Sequence, residues 1–178
     1  EIPKELEFEV FIDGAHFIEQ QLSVLQRNGL LGLILVVLFL VLFLNFRTSL
    51  MTTWSIPIAY FGTFIVLYLV GVDIDLLSLI GLIIVIGILV DDAIIVSERY
   101  VQNLQDGQQP KEAARNAAIS LIRPVTGTII TTAAAFVPLF LVKSELADVF
   151  FAVPVVILSS LALSWFESFF ILPNHLAH

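Results

Sequence analysis

Residues 76–96 read LLSLIGLIIVIGILVDDAIIV, and the fold turns on what allows Asp91 and Asp92 to stand inside that run. Fifteen of the 21 residues are Leu, Ile or Val. On insertion scales each contributes roughly 0.3 to 0.6 kcal/mol toward membrane entry, whereas a centrally placed Asp opposes it by roughly 2.5 to 3.5. The pair nearly cancels the aliphatic gain. Carboxylates facing lipid cannot be satisfied, so these two must face protein or water, or carry protons. Because the adjacent acids also repel each other, a bound proton relieves both costs. Two permanently neutral acids, hydrogen-bonded to neighbours, is the structural alternative, yet packing alone needs only one.

The rest of the chain supports a membrane setting. Of its 178 residues 58% are hydrophobic and 13% charged, with a mean hydropathy of +0.99, outside the usual balance of a soluble domain. Five apolar spans, at 29–46, 50–72, 76–96, 124–142 and 149–172, approach or exceed the ~20 residues that cross ~30 Å of hydrocarbon. The expected class is an all-α membrane protein with five transmembrane helices. There are no cysteines, which removes disulfides and thiol chemistry. No basic patch points to nucleic acid. His16, His175 and His178 are scattered, with no metal-ligand spacing, so neither a metal nor an organic cofactor is expected.

Outside the spans, residues 5–12 alternate apolar and acidic side chains with the period of a strand. Asp13 can cap a helix that leads toward Arg27. Residues 1–28 therefore read as a short strand and lead-in helix, and 29–178 as the transmembrane unit. Arg47, Arg99, Lys111, Arg115 and Arg123 fall on one side of the spans, and Lys4, Arg27 and Lys143 on the other. The positive-inside rule makes the first side cytoplasmic and leaves the N-terminus outside and the C-terminus inside. Within the long inner loop, residues 110–122 place Ala114, Ala117, Ala118 and Leu121 on one face. They read either as an amphipathic helix lying on the cytoplasmic membrane surface or as an ordinary connector helix.

Adjacent helical residues point about 100° apart, so Asp91 and Asp92 look into different spaces. Gly87 lies one turn before Asp91 and Gly81 three turns before Asp92, giving each acid a glycine on its own face where another helix can come close. All eight Lys and Arg lie at span ends or in loops. An intramembrane cation for the pair must come from elsewhere. In the fourth span Thr128, Thr131 and Thr132 form a hydroxyl stripe with two readings: donors to a neighbouring Asp, or side chains bonded to their own helix carbonyls. In the fifth, Ser160, Ser164, Glu167 and Ser168 make a comparable stripe, with Glu167 read as interfacial near the inner end. Pro138 and Pro154 are expected to kink their helices.

GLIIVIGILVDDAIIVSERY, PKEAARNAAISLIRPVTGTIITTAAAFVPLFLV and the closing LSWFESFFILPNHL together resemble the resistance-nodulation-division (RND) permeases of Gram-negative bacteria. The Asp91–Asp92 pair places the likeness in their hydrophobe/amphiphile multidrug efflux branch. The resemblance implies that the five spans are the second to sixth helices of a twelve-helix permease, and that residues 1–28 are the tail of its periplasmic porter domain. It implies drug/proton antiport, with Asp91 and Asp92 as the proton relay; the stripes on the fourth and fifth spans offer Thr128, Thr131, Thr132 and Glu167 as possible support. The coupling ion would be the proton, in an inner-membrane transporter and not an enzyme. The implied partners are lipid, a second transmembrane half supplying a lysine, a trimeric assembly, and a periplasmic adaptor with an outer-membrane channel. By itself the chain is not expected to transport. Two rival readings are an independent small channel or accessory subunit and, from a different class, an intramembrane aspartyl protease, although no Gly-x-Gly-Asp element is present.

Overall fold

A computed structural model describes residues 14–141 and 147–177. The expected strand at 5–12 and its capping Asp13 lie outside these residues, and among the described ones there is no strand. The elements are α1 (Gly14–Phe43), α2 (Phe46–Val70), α3 (Leu76–Gln105), α4 (Pro110–Phe136), a 3₁₀ turn (Val137–Leu141), α5 (Ala147–Phe166), a π-helical turn (Glu167–Ile171) and the short α6 (Leu172–Leu176). Among the described residues five helices are long and apolar enough to cross a membrane. The protein is an all-α, multi-pass membrane protein.

Local chemistry sets the helix ends. α2 stops at Gly71, whose φ of 77° lies in the left-handed region that glycine enters without penalty. Val72 N–H then donates to the Leu67 carbonyl at 3.0 Å, closing the last turn. Four residues later α3 starts from a reciprocal cap: Asp75 accepts from Ser78 N–H at 2.7 Å and Asp75 N–H donates to Ser78 Oγ at 2.8 Å. Two otherwise unpaired donors are thereby satisfied at the end of the most apolar helix. Asp75→Ala is expected to lower stability by about 1 kcal/mol, the usual worth of an N-cap, measured as a shift in the denaturant midpoint of the detergent-solubilised protein. An unshifted midpoint would show that the cap is dispensable.

Two segments that read separately in the sequence are single helices. α1 joins the lead-in residues to the first span, and its 30 residues reach about 45 Å at 1.5 Å per residue. α4 corrects the reading of residues 110–122 as a surface helix distinct from the fourth span. Its 27 residues run from Pro110 at the first helical position straight through Pro124. A proline keeps helical φ and costs one hydrogen bond; the carbonyl it leaves belongs to the exposed Ser120. The alanine stripe is apolar because it faces protein: Ala113, Ala114 and Ala117 are buried in one cluster with Tyr100, Val101 and Leu176. Asn103 Nδ2 donates to the Ala113 carbonyl at 2.9 Å across the α3–α4 turn. At the end of the chain, Tyr100 Oη donates to the Leu176 carbonyl at 2.7 Å.

Burial ranks the helices. In the apolar stretches of α3 and α5, 53% and 50% of residues are buried, against 6% in those of α1 and α4, so α3 and α5 form the centre. Leu79, Leu82 and Val85 of α3 pack with Val156 and Ile157 of α5 in the half nearer the α2–α3 turn. The cluster of Leu40, Leu44, Tyr100, Ala113 and Leu172 fills the half nearer the α3–α4 turn. α2 is polar within and apolar without. Its buried residues include Thr48, Ser49, Thr52, Ser55 and Thr63, while Trp54, Phe61, Ile65 and Tyr68 are exposed. Hydroxyls join the helices: Thr52 to Ser97 at 2.5 Å and Thr63 to Ser160 at 2.9 Å. In a medium without water such pairs hold helices together where the hydrophobic effect cannot.

Candidate functional site

The two aspartates occupy different environments, as their angular separation on α3 requires. Asp92 is 7% exposed and turned toward α5. Its Oδ2 accepts from Ser164 Oγ at 3.1 Å, and the same hydroxyl lies 3.3 Å from the Leu89 carbonyl. Asp91, one residue on, is exposed and lines an open groove of about 640 Å³. Gly29, Gly32 and Phe39 of α1 and Ile56 and Tyr60 of α2 form the facing walls, with Gly87 on the same wall as Asp91. The lining is almost wholly apolar, and the buried Tyr60 hydroxyl has no hydrogen-bond partner among the described residues. No lysine or arginine of the described residues lies against either carboxyl.

The two glycines differ as the acids do. A Cβ on Gly81 would stand 3.2 Å from Val156 Cβ and 3.6 Å from Val153 Cα, so Gly81 marks a close α3–α5 crossing on the face that also carries Asp92. Gly87 has nothing within 4 Å of its added Cβ. Its face, shared with Asp91, opens on the groove.

Of the two readings of the threonine stripe, the structure has the second. Thr128 donates to the Val125 carbonyl at 2.8 Å, Thr131 to Thr128 at 2.7 Å and Thr132 to Thr128 at 3.0 Å. All three hydroxyls are occupied by their own helix and none reaches an aspartate. Thr126 is the α4 hydroxyl that crosses, accepting from Trp165 Nε1 at 2.8 Å.

Glu167 is packed against protein. It is 2% exposed, inside the bundle at the first residue of the π-helical turn. Ser164, three residues earlier, was legible as part of a stripe but not as the partner of Asp92. The hydroxyl face of α2 was missed altogether. Its signal lies in the spacing of residues 48, 52, 55 and 63, near multiples of the helical period. Among the described residues no group of three or more His, Cys, Asp or Glu could hold a metal.

Comparison with known proteins gives the family. Residues 1–178 match the AcrB/AcrD/AcrF family over their whole length. The multidrug resistance protein MdtF of Escherichia coli K12 is 31% identical over 163 residues, 90% of this chain and 16% of the relative. MdtC of Photorhabdus laumondii is 29% identical over 178 residues, 99% of this chain and 17% of the relative. MdtC of Yersinia pestis Angola is 33% identical over 141 residues, 79% and 14% of the two chains. The chain thus spans about a sixth of the length of MdtF and of the Photorhabdus MdtC. With two aspartates inside a five-helix membrane bundle and a match running from end to end, the chain belongs to the AcrB/AcrD/AcrF family, the RND permeases.

Proposed function

We propose that this chain is the proton-coupling part of a multidrug efflux transporter of the inner membrane, in which drug export is driven by proton entry. The observation that carries the reading is the split of Asp91 and Asp92 between an open groove and a buried helix interface. A pair that must gain and release protons as the protein cycles needs two environments. Asp92 is buried against α5 beside Ser164. Asp91 faces the open groove, where Gly87 leaves the backbone uncovered. A lysine on that helix, from a second transmembrane half, would supply the counter-charge the described residues lack. With the Arg47 side cytoplasmic, the C-terminus is inside; a trimer with a periplasmic adaptor and outer-membrane channel completes the assembly.

An aspartyl protease would need both carboxyls on one water, and here one meets Ser164 and the other the groove. A small channel or accessory subunit has no use for a pair so disposed. The test is drug susceptibility together with drug-driven proton flux in proteoliposomes carrying the complete permease. Asp91→Asn and Asp92→Asn are each expected to abolish both while membrane insertion stays normal. Full export by both variants would sink the reading.

A further inference from the structure

We infer that Glu167 is a second proton-binding carboxyl, set on the inner side of Asp92 and joined to it through a seam of buried hydroxyls between α2, α3 and α5. This rests on the reading of Asp92 as a proton carrier and adds a station that the aspartate pair does not include. Three observations place it. Glu167 is 2% exposed and its Oε1 has no hydrogen-bond partner among the described residues. The backbone around it, Glu167–Ile171, is a π-helical turn, a widening that recurs at functional positions in helices. Moreover, buried hydroxyls flank it on α5 and α2. On α5, Ser164 touches Asp92 and precedes Glu167 by three residues, one helical turn or about 5 Å along the axis. Ser55 of α2 faces the Glu167 carboxyl without closing a hydrogen bond. One turn further toward the inner end, Thr52 bonds Ser97 of α3, and Ser49 and Thr48 continue the same buried face to the start of α2.

A buried, incompletely paired carboxyl is expensive in a membrane, and packing explains none of that cost, because a Leu or Met would fill the space without it. Each hydroxyl in the seam can accept a proton from one side and release its own to the other. In the transfer the Asp92 carboxyl gives up its proton and becomes a carboxylate, the Glu167 carboxylate gains one and becomes the acid, and net charge is unchanged. From α2 Glu167 is faced by Ser55; α3 contributes Asp92 through Ser164; among the described residues α4 and α6 set no lysine, arginine, histidine or further acid against it.

The experiment uses the complete permease in proteoliposomes and measures drug-driven proton flux, drug binding and the infrared bands of protonated carboxyls as pH is varied. Glu167→Gln is expected to lose flux, keep drug binding, and lack one titrating carboxyl band that Asp92→Asn retains. Glu167→Asp, which restores an acid, is expected to recover part of the flux. Wild-type flux in Glu167→Gln, or an unchanged set of bands, overturns the proposal. Should that variant fail to accumulate, glutamate labelling of wild type and of Glu167→Asp gives the same readout: loss of one label-sensitive titrating band in Glu167→Asp supports Glu167, and an unchanged set of bands overturns it. Asp92→Asn with intact flux would instead remove the reading beneath it, whatever Glu167 does.

Discussion

Gly81→Leu is expected to abolish accumulation of folded protein in the membrane, whereas Gly87→Leu is expected to leave folding intact and stop export. Gly81 sits where α3 and α5 touch: a Cβ alone would meet Val156 at 3.2 and 3.3 Å and the Val153 backbone at 3.6 Å. The Val156 Cβ is fixed by its backbone, so no rotamer change relieves the 3.2 Å contact. Leucine adds three more carbons beyond that Cβ, and the surrounding Leu79, Leu82, Val156 and Ile157 leave no space, being at most 1% exposed. Overpacking of this kind costs about 1 to 3 kcal/mol where the backbone can yield, and more where it cannot. Here yielding means parting the two central helices, which also parts Ser164 from Asp92. At Gly87 nothing lies within 4 Å, so the same side chain enters the groove beside Asp91. It would occupy the seat of the incoming counter-charge. Protease protection and monodisperse yield separate the two results. Normal yield of Gly81→Leu would mean that the α3–α5 crossing is not fixed by that glycine, and normal export by Gly87→Leu that the groove seats nothing.

The contrast between the glycines also shows what the sequence could and could not convey. Helical geometry alone turns Asp91 and Asp92 into separate spaces and gives each a glycine, and both statements hold in the structure. Which of those spaces is filled is a tertiary fact; α5 comes to Gly81, and among the described residues nothing comes within 4 Å of a Cβ on Gly87. Helix lengths were read short for a different reason. Apolar windows report the thickness of hydrocarbon, whereas α3 runs on past Val96 to Gln105 because Tyr100, Val101 and Asn103 find protein partners outside it. Pro124 looked like a boundary, but proline inside a helix removes one bond and leaves φ helical. The hydroxyl face of α2 was hidden by averaging. Its serines and threonines are balanced by Trp54, Phe61 and Ile65 on the other side, so the span reads as uniformly apolar. The threonines of α4 were visible for the opposite reason, as a clean stripe, and the stripe proved to be occupied by its own backbone. A regular pattern marks a helix face, and only the partner across it decides whether that face is used.

Asp92→Leu is expected to make the protein more resistant to unfolding while removing transport entirely. At the centre of a membrane helix an aspartate opposes insertion by roughly 2.5 to 3.5 kcal/mol and a leucine favours it by roughly 0.5, so the exchange is worth about 3 to 4 kcal/mol. The partner is not orphaned, because Ser164 Oγ keeps the Leu89 carbonyl at 3.3 Å. No arginine or lysine of the described residues is left with an unpaired charge, the circumstance that usually makes breaking a buried pair costly. Asp92→Asn, nearly the same shape, keeps a polar group and is expected to fall between the wild type and Asp92→Leu in stability while being equally inactive. Unfolding by sodium dodecyl sulfate in mixed micelles, with helicity as the signal, orders the three proteins. A carboxyl retained for packing gives the reverse order, with Asp92→Leu the least stable. A carboxyl retained for function is one the fold would be firmer without.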